Sequence, residues 1–357
     1  MENNVFIKYY NEVKNKLNKK IEEYNNELKK ENNSLIKENI DLFTNLNSDG
    51  KMVRGTLVNL GYKLKNEDTE YSYPLSLAFE IFQTAILVHD DIIDNDNLRR
   101  GKQTIHSYNY DKYYELTNDS NSKKIADSIA ICMGDLGLYE ANQVISKNYK
   151  DDSNLGDVLI YFNDIVLKTI KGEIIDVTLP FLEKNNLLKD NLEENIMLIY
   201  KLKTAYYTII GPMSLGLILA GTKKEELEEI EQIGLKIGIA FQIQDDMLGI
   251  YSNDSTLGKK VGSDIEEFKQ TLLYSYTKNN RKYYDELLKI YGTKVTEKDV
   301  EKVKQIFMES GAYNYALDVI NKLYNEALEQ IENIDWINKE NKEILKGFVM
   351  YLNGRKK

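Results

Sequence analysis

Residues 75–101, LSLAFEIFQTAILVHDDIIDNDNLRRG, place an apolar run directly before a cluster of acidic residues. The part from 75 to 88 is largely apolar and delivers three carboxylates, Asp90, Asp91 and Asp94, to its end. If the run is helical, Asp90 and Asp94 stand one turn apart and project from one face. Two carboxylates on one face repel each other, so this spacing indicates a cation between them.

Magnesium is the cation that best suits such a pair. Mg²⁺ prefers hard oxygen ligands, keeps most of its water, and shares its remaining positions with phosphate oxygens. Arg99 and Arg100, near the end of the stretch, carry donors matched to phosphate. Taken alone, the stretch also fits a solvated acidic helix end, because clusters of aspartate are common on protein surfaces.

A second acidic pair lies in residues 241–248, FQIQDDML, and favours the metal-binding interpretation. Asp245 and Asp246 again end a largely apolar, helix-like segment, and Gly258-Lys259-Lys260 follows with basic residues. Two acidic pairs, each trailed by cations, predict two facing half-sites that hold metal ions around a diphosphate.

These motifs resemble those of the trans-isoprenyl diphosphate synthases, also called polyprenyl synthases. Residues 90–101 match the family's first aspartate-rich motif, DDxxD followed by RRG, and residues 245–246 match its second. The resemblance covers roughly residues 40–350. It implies one all-α domain over residues 1–357, a large helical bundle with a central cavity. It also implies Mg²⁺ as the cofactor and a homodimer.

Composition agrees with that expectation and argues against several other classes. The 357 residues include only 3 prolines and 20 glycines and show no run of short alternating strands, which favours an all-helical chain. A net charge of −10 argues against a nucleic-acid surface. The longest apolar run, 209–221, is too short to span a bilayer, so we expect a cytoplasmic protein without an integral membrane segment.

The polar stretch 107–124 is expected to be an insertion, either a loop or a short helix.

Four residues are expected to bind isopentenyl diphosphate. Lys51 and Arg54 follow a glycine-led turn, and a helix that starts there would also turn its N–H groups towards an anion. Residues 49–55, DGKMVRG, resemble the family motif GGKRxRP, whose Lys and Arg hold this diphosphate. Asp49 replaces the first glycine of that motif, and Gly55 replaces its proline. The set that the resemblance implies is Lys51, Arg54, Gln83 and Arg100.

The resemblance also assigns residues to the allylic diphosphate and to the metal ions. Lys203-Thr204 resembles the family's KT motif, whose Lys contacts the allylic diphosphate. The allylic set is Arg99, Lys203, Thr204, Gln242, Lys259 and Lys269. The expected metal ligands are Asp90, Asp94 and Asp245, and the expected catalytic residues are Asp90, Asp91, Asp94, Lys203, Asp245 and Lys259. The fifth place of the second motif holds Gly249 instead of an aspartate, so we expect weaker chelation there.

Product length depends, by the same resemblance, on residues that line the cavity below the first aspartates. Ala85 and Ile86 hold places where short-chain members often carry aromatics, and neither would stop a fifteen-carbon chain. Leu138 and Tyr139 match positions where bulky residues close a geranylgeranyl-length pocket, although Tyr139 equally fits an ordinary core aromatic. We therefore expect geranylgeranyl diphosphate as the main product, with longer chains as the alternative.

The predicted reaction condenses isopentenyl diphosphate with an allylic diphosphate (dimethylallyl, geranyl or farnesyl) and releases diphosphate. The site must neutralise the charge that develops on diphosphate before the allylic C–O bond ionises. A class I terpene cyclase shares the first motif, but Asp245-Asp246 and the Lys51/Arg54 pair argue against it. A regulatory subunit of a heteromeric synthase would lack the first aspartates, all of which are present.

Overall fold

The computed structural model describes residues 4–252 and 261–354, and within them the chain is almost entirely helical. Two short strands in this part of the chain, β1 (Leu98–Arg99) and β2 (Lys102–Gln103), form one antiparallel hairpin. The predicted all-α class is therefore confirmed. None of the described helices is long and apolar enough to cross a bilayer. The cytoplasmic location stays a prediction.

Most residues lie in helices that follow one another through short connections. In chain order these are α1 (Val5–Leu28), α2 (Ser34–Ser48), α3 (Val53–Lys63), a 3₁₀ turn (Glu70–Ser72), α4 (Tyr73–Ile93), α5 (Ile105–Thr117), α6 (Ser122–Asn148) and α7 (Leu155–Lys184). They continue as α8 (Leu192–Ile199), a π-helical segment (Tyr200–Ile210), α9 (Gly211–Leu219) and α10 (Lys224–Tyr251). Residues 261–354 add α11 (Ser263–Glu266), α12 (Leu272–Lys278), α13 (Arg281–Leu287), α14 (Glu297–Glu309), α15 (Ala312–Asn333) and α16 (Lys339–Asn353).

The chain divides into two compact units. The first unit comprises Lys8–Ile160 and Pro212–Thr222, and the second comprises Met1–Ile7, Tyr161–Gly211 and Lys223–Lys357. Each unit contains one of the two aspartate pairs. The expectation of a single domain over the whole chain stays a prediction.

Helix α4 forms the core of the first unit. Pro74 lies in its first turn, where a missing N–H costs no hydrogen bond. The run 75–88 is apolar on nearly all sides because α4 packs against α2, α3, α5 and α6. Phe79 and Phe82 are fully buried and meet edge to face with 5.4 Å between ring centroids. Each buried side chain of this size contributes about 1.5–3 kcal/mol, so the helix is firmly held.

Helix α10 has the same place in the second unit. It packs against the π-helical segment and against α11, α14, α15 and α16. Its buried face repeats every three or four residues and comprises Ile230, Ile233, Ile237, Ala240 and Ile243. This face fixes the rotation of α10 and therefore the directions in which Asp245 and Asp246 project.

Residues 107–124 form most of α5, a turn and the beginning of α6. Asn109 donates to Asn39 Oδ1 at 2.8 Å, and Tyr108 donates to Glu38 Oε1 at 2.6 Å. These bonds tie α5 to α2, while its other contacts are with α4 and, over most of its length, with α6. The segment thus takes the helical one of its two expected forms, and its status as an insertion stays a prediction.

Candidate active site

The first three aspartates lie where α4 ends, in the first unit. Asp90 and Asp91 belong to the last turn of the helix, and the Asp94 N–H donates to the Asp90 carbonyl at 2.8 Å. This bond between residues four apart keeps Asp90 and Asp94 on one face of the turn. Asp90 is half-buried and Asp94 is exposed, whereas only 1% of the Asp91 surface is accessible. Two of the three carboxylates therefore face outward together.

Arg99, on β1, lies against these aspartates. Its Nε donates to Asp91 Oδ1 at 2.6 Å, and its Nη2 lies 3.4 Å from Asp90 Oδ2 and 3.3 Å from Asp96 Oδ2. Burial raises the pKa of Asp91 to about 7, although the Arg99 guanidinium acts in the opposite direction. Asp91 therefore holds Arg99, and with it the hairpin, beside Asp90. Arg99, which was expected to bind the allylic diphosphate, is ion-paired to aspartates in this state.

Helix α6 supports this end of α4 through a glycine. A Cβ at Gly134 would lie 2.3 Å from His89 Nε2, so a larger residue would displace the imidazole ring. The same Nε2 lies 3.2 Å from the Ile131 carbonyl oxygen and 3.4 Å from Asp135 Oδ1. Both of these groups belong to α6, so His89 fixes the end of α4 against α6. This end of α4 carries the aspartates.

A buried carboxylate organises the residues expected to bind isopentenyl diphosphate. Glu80, which is 2% exposed, accepts a hydrogen bond from the Gly55 N–H at 2.7 Å. With its amide nitrogen turned towards Glu80, Gln83 donates to Oε2 at 3.0 Å, and its oxygen accepts from Arg54 Nη1 at 3.1 Å. The structure thus brings two of the predicted residues, Arg54 and Gln83, together on a carboxylate that the motifs did not indicate.

Gly55 stands where the resembling motif has proline, and its surroundings explain the exchange. A Cβ at this position would lie 2.5 Å from Leu17 Cδ2 and 3.0 Å from the Ser76 carbonyl oxygen. Proline would also lack the N–H that donates to Glu80. The glycine therefore allows α3 to approach α4 closely and keeps the bond that fixes the start of α3.

The remaining two predicted ligands of isopentenyl diphosphate, Lys51 and Arg100, have different surroundings. Lys51 is exposed just before α3 begins. Arg100 Nη1 donates to the Leu46 carbonyl oxygen at 3.1 Å, and burial lowers the pKa of its guanidinium, an effect that nearby carboxylates oppose. Asp49, which stands where the motif has glycine, pairs with Lys102 at 2.6 Å. This ion pair ties the segment before α3 to β2.

The four residues expected to set product length do not share one environment. Ala85 is fully buried, and a Cβ at Gly137 of α6 would lie 2.8 Å from its Cβ. Ala85 therefore faces α6, and its role in setting product length stays a prediction. Ile86 is half-buried on the face of α4 that carries the first aspartate. Leu138 is half-buried, but Tyr139 is 78% exposed, so it points away from the interior of its unit. The role of both residues in setting product length stays a prediction.

The second aspartate pair lies near the end of α10, in the second unit. Asp245 is exposed, whereas Asp246 is 3% exposed and accepts hydrogen bonds from the Tyr200 hydroxyl and from Gln242 Nε2, the latter at 2.8 Å. Burial raises the pKa of Asp246 to about 7, although the Lys269 ammonium acts in the opposite direction. Asp246 is therefore engaged within the unit, and Asp245 is the member of the pair that faces outward.

Thr204 and Lys203 project from the π-helical segment towards different partners. Thr204 Oγ1 donates to Gln242 Oε1 at 2.6 Å, which places it in the hydrogen-bond chain of the second aspartate pair. Lys203 Nζ lies 2.6 Å from Asp176 Oδ2 and 2.7 Å from Glu173 Oε2, both on α7. This segment can approach α7 because residue 172 is glycine, where a Cβ would lie 2.6 Å from the Lys203 backbone nitrogen.

Lys269 belongs to the same group of charges. Burial alone would raise the pKa of Asp176, but Lys269 and Lys203 lower it below its ordinary value. In turn Asp264 raises the pKa of Lys269, against the effect of burial, and Asp176 and Asp246 add to that increase. Lys203 is thus ion-paired with Asp176, and Lys269 acts on the same carboxyl group. Lys259, the remaining predicted cation, lies outside the described residues.

Comparison with known proteins decides the family. The sequence profile of polyprenyl synthetases matches residues 35–309, most of the chain. The chain belongs to the polyprenyl synthetase family. It is thus an isoprenyl diphosphate synthase, an enzyme that transfers prenyl groups, as the motifs predicted.

Relatives of this synthase match it over most of their length. A short chain isoprenyl diphosphate synthase of Methanothermobacter thermautotrophicus is 31% identical over 296 residues, 81% of this chain and 83% of the relative. A geranylgeranyl diphosphate synthase of Saccharolobus solfataricus is 29% identical over 354 residues, 98% of both chains. The crystal structure of a Corynebacterium glutamicum geranylgeranyl pyrophosphate synthase, complexed with isoprenyl diphosphate and magnesium, covers 98% of this chain and 99% of its own. Its TM-score of 0.85 at 22% identity confirms the isoprenoid synthase fold.

The acidic residues of this synthase fit a metal ion that takes few protein ligands. Within residues 4–252 and 261–354, no three His, Cys, Asp or Glu side chains converge closely enough to hold an ion by themselves. Asp90 and Asp94 share one face, and Asp94 and Asp245 are exposed. One or two carboxylates, completed by water and substrate phosphates, are the usual protein contribution to a Mg²⁺ site. The donors present therefore suit Mg²⁺ bound together with a diphosphate.

Two residues of the site, Glu80 and Asp264, carry roles that the motifs did not indicate. Glu80 is the one charged residue within the run 75–88, and an acid inside an apolar helix needs a partner. A single acid inside an apolar run is therefore the sequence signal that could have identified Glu80. Asp264 is separated from the second pair along the chain, and only the fold brings it near Gly249.

Proposed function

We propose that this synthase condenses isopentenyl diphosphate with an allylic diphosphate to give geranylgeranyl diphosphate, with Mg²⁺ as its cofactor. The observation that carries the proposal is the presence of two separate groups of diphosphate-type side chains. One group contains Arg54 and Gln83 on Glu80, and the other contains Lys203 and Lys269 around Asp176. A condensing enzyme binds two diphosphates, whereas a cyclase binds one.

In the proposed reaction, the allylic C–O bond breaks and its electron pair leaves with diphosphate. Asp90, Asp94 and Asp245 would hold Mg²⁺, which supplies charge neutralisation when bound. Lys203 and Lys269 add positive charge that is fixed in place before the reaction begins. The magnesium and isoprenyl diphosphate in the Corynebacterium glutamicum complex support this assignment.

The new C–C bond then forms between the allylic carbon and the double bond of isopentenyl diphosphate. Lys51, Arg54 and Arg100 would hold the diphosphate of this second substrate, with Arg54 fixed through Gln83 and Glu80. The resulting cation loses a proton to the departing diphosphate, since no side chain of the predicted site is an obvious base. An apolar surrounding protects the cation from water until that proton has left.

The product assignment rests on Ile86. This residue stands one turn before Asp90 on the same face of α4, so a growing chain that extends from the aspartates would pass it. An aliphatic side chain there leaves room beyond fifteen carbons, which supports a twenty-carbon product. The two relatives named above carry different product names, short chain and geranylgeranyl, so the family alone does not fix the length.

The decisive experiment is turnover by the purified chain. Isopentenyl diphosphate is supplied with dimethylallyl, geranyl or farnesyl diphosphate, with Mg²⁺ or with a chelator, and diphosphate release is followed. Chromatography of the dephosphorylated products should give mainly the twenty-carbon alcohol, and chelation should stop the reaction. No release with any primer would overturn the function, and a fifteen-carbon product would overturn only the assigned length. A cyclic hydrocarbon from one allylic diphosphate would favour a cyclase.

We also propose that the synthase is a homodimer. Support comes from an exposed apolar stripe on α7 with steps of three and four residues: Leu167, Ile170, Ile174, Val177 and Phe181. Ile174→Asp should shift the mass measured by light scattering towards that of one chain. Leu288→Asp, at an exposed apolar residue outside the stripe, serves as the control and should leave the mass unchanged. Wild-type protein that runs as a single chain would overturn the dimer.

A further inference from the structure

The space that a side chain at position 249 would fill is taken by the carboxylate of another residue. Gly249 lies on α10, at the fifth place of the second aspartate motif. A Cβ there would lie 2.8 Å from Oδ2 and 3.7 Å from Cγ of Asp264, which provides the nearest atoms. An acid from a later segment thus stands where the motif would otherwise place its own acid.

The backbone holds Asp264 in this place. The Gly262 N–H donates to the Gly249 carbonyl oxygen at 3.3 Å, so the start of α11 is pinned to α10 at the glycine itself. Gly262 has a φ of 87°, a left-handed conformation that glycine adopts without strain. Asp264 follows in the first turn of α11 and is 4% exposed. Its position is therefore set by the fold and not by a mobile side chain.

The Asp264 carboxylate also acts on the charges of the second half-site. It raises the pKa of Lys269, against the effect of burial. The Lys269 backbone N–H donates to the Asp264 carbonyl oxygen at 2.9 Å, which keeps the two residues together. Asp264 and Lys269 therefore belong to one segment, which is pinned to α10 at Gly249.

We infer that Asp264 supplies, at the second aspartate motif, the carboxylate that Gly249 lacks, and that it positions Lys269 at the same end of α10. The inference rests on the proposed function, because it concerns how that site binds a metal–diphosphate group. It reverses the expectation that Gly249 weakens the site. An aspartate at 249 would bring a second carboxylate against Asp264 and should weaken metal binding, not strengthen it.

Three variants and a control test this inference. Asp264→Asn keeps the side-chain volume and removes the charge, and Gly249→Asp adds a carboxylate to a filled space. Gly249→Asp/Asp264→Ala moves the carboxylate from one residue to the other. Asp285→Asn, an exposed acid on α13, makes the same change of net charge away from the site.

The first measurement is Mn²⁺ binding in the presence of inorganic diphosphate, followed by electron paramagnetic resonance. Each single variant should lose about 10- to 100-fold in affinity, the usual range for residues that support a metal ligand. The double variant should recover most of that loss, and Asp285→Asn should bind as the wild type does. Melting temperatures check folding, and Asp264→Asn tests the charge even where Gly249→Asp does not fold.

The second measurement separates the two substrates in turnover. Asp264→Asn should raise KM for the allylic diphosphate and leave KM for isopentenyl diphosphate within error. Wild-type Mn²⁺ affinity in Asp264→Asn, or additive losses in the double variant, would overturn the inference. If the wild-type chain binds Mn²⁺ with diphosphate but condenses no prenyl substrates, the proposed function fails while the binding comparison still decides the role of Asp264.

Discussion

Replacing Glu80 with glutamine should weaken the binding of isopentenyl diphosphate much more than that of the allylic substrate. The carboxylate accepts one hydrogen bond from Gly55 N–H and another from the Gln83 amide. A glutamine at this position keeps the shape but has only one acceptor oxygen. Gln83 then loses its partner or turns its own amide nitrogen towards Arg54, where two donors would face each other.

The size of the effect follows from the number of bonds lost and from their burial. Glu80→Gln removes one hydrogen bond to a charged acceptor, which contributes about 1.5–3 kcal/mol. Because only 2% of Glu80 is exposed, water cannot take the place of the lost partner. At about 1.4 kcal/mol for each factor of ten, KM for isopentenyl diphosphate should rise roughly 10- to 100-fold.

Initial rates of diphosphate release, measured with each substrate varied while the other is saturating, test this prediction. Glu70→Gln is the matched control, because Glu70 is an exposed acid that pairs with Lys16 on the surface of the same unit. Its two KM values should stay at the wild-type level. Equal increases in both KM values for Glu80→Gln, or no increase in either, would refute the role assigned to Glu80.

Three further predictions concern the metal ligands, the product and the pH dependence. Asp90→Ala or Asp94→Ala should abolish turnover with an unchanged circular dichroism spectrum, and near-normal rates would remove these residues from the mechanism. Ile86→Phe should shorten the product towards farnesyl diphosphate, whereas Ala85→Phe should mainly lower the melting temperature because Ala85 is packed against α6. Chromatography of the products and thermal unfolding distinguish these outcomes, and an unchanged product in Ile86→Phe would contradict the assignment. Burial raises the pKa of Asp246 from 3.8 to about 7, so the folded state binds this proton more tightly than the unfolded state. The resulting stability is present below the unfolded pKa and is lost as pH rises through about 7. As pH rises from 3.8 to about 7, the melting temperature of metal-free Asp246→Asn should therefore fall less than that of the metal-free wild type. Parallel curves for the two proteins would show that Asp246 is not the origin of this pH dependence.

The fold class and the positions of both aspartate pairs could be predicted because their causes are local. A run of apolar residues from 75 to 88, with Pro74 just before it, is sufficient for a buried helix with a defined beginning. The spacing of Asp90 and Asp94 then places both on one face without reference to any other segment. The same holds for α10, whose buried positions repeat every three or four residues.

The surroundings of individual residues could not be predicted, because they depend on which helix packs against which face. Ala85 and Ile86 are neighbours in sequence, yet only the packing of α6 at Gly137 separates the buried one from the one beside the aspartates. Tyr139 follows Leu138 on α6 and is exposed because no other described helix of its unit covers that side of α6. Motif positions identify places along a helix, but the direction of a side chain is decided by its neighbours.

Three departures from the family motifs have a common physical explanation. Asp49 replaces a glycine and meets Lys102, and Gly55 replaces a proline and donates its N–H to Glu80. Gly249 replaces an aspartate, and the carboxylate of a distant residue fills its place.

In each of the three cases, a neighbouring residue compensates for the exchange. Lys102 balances the charge added at Asp49, Glu80 accepts from the N–H added at Gly55, and Asp264 provides the carboxylate that is missing at Gly249. A buried or half-buried charge without a partner is costly, and a cavity beside a charged cluster is costly as well. An exchange at a motif position is therefore tolerated where another segment already carries the matching charge or volume. It follows that a motif of this family is better compared by the charge and space at each position in the folded chain than by its letters.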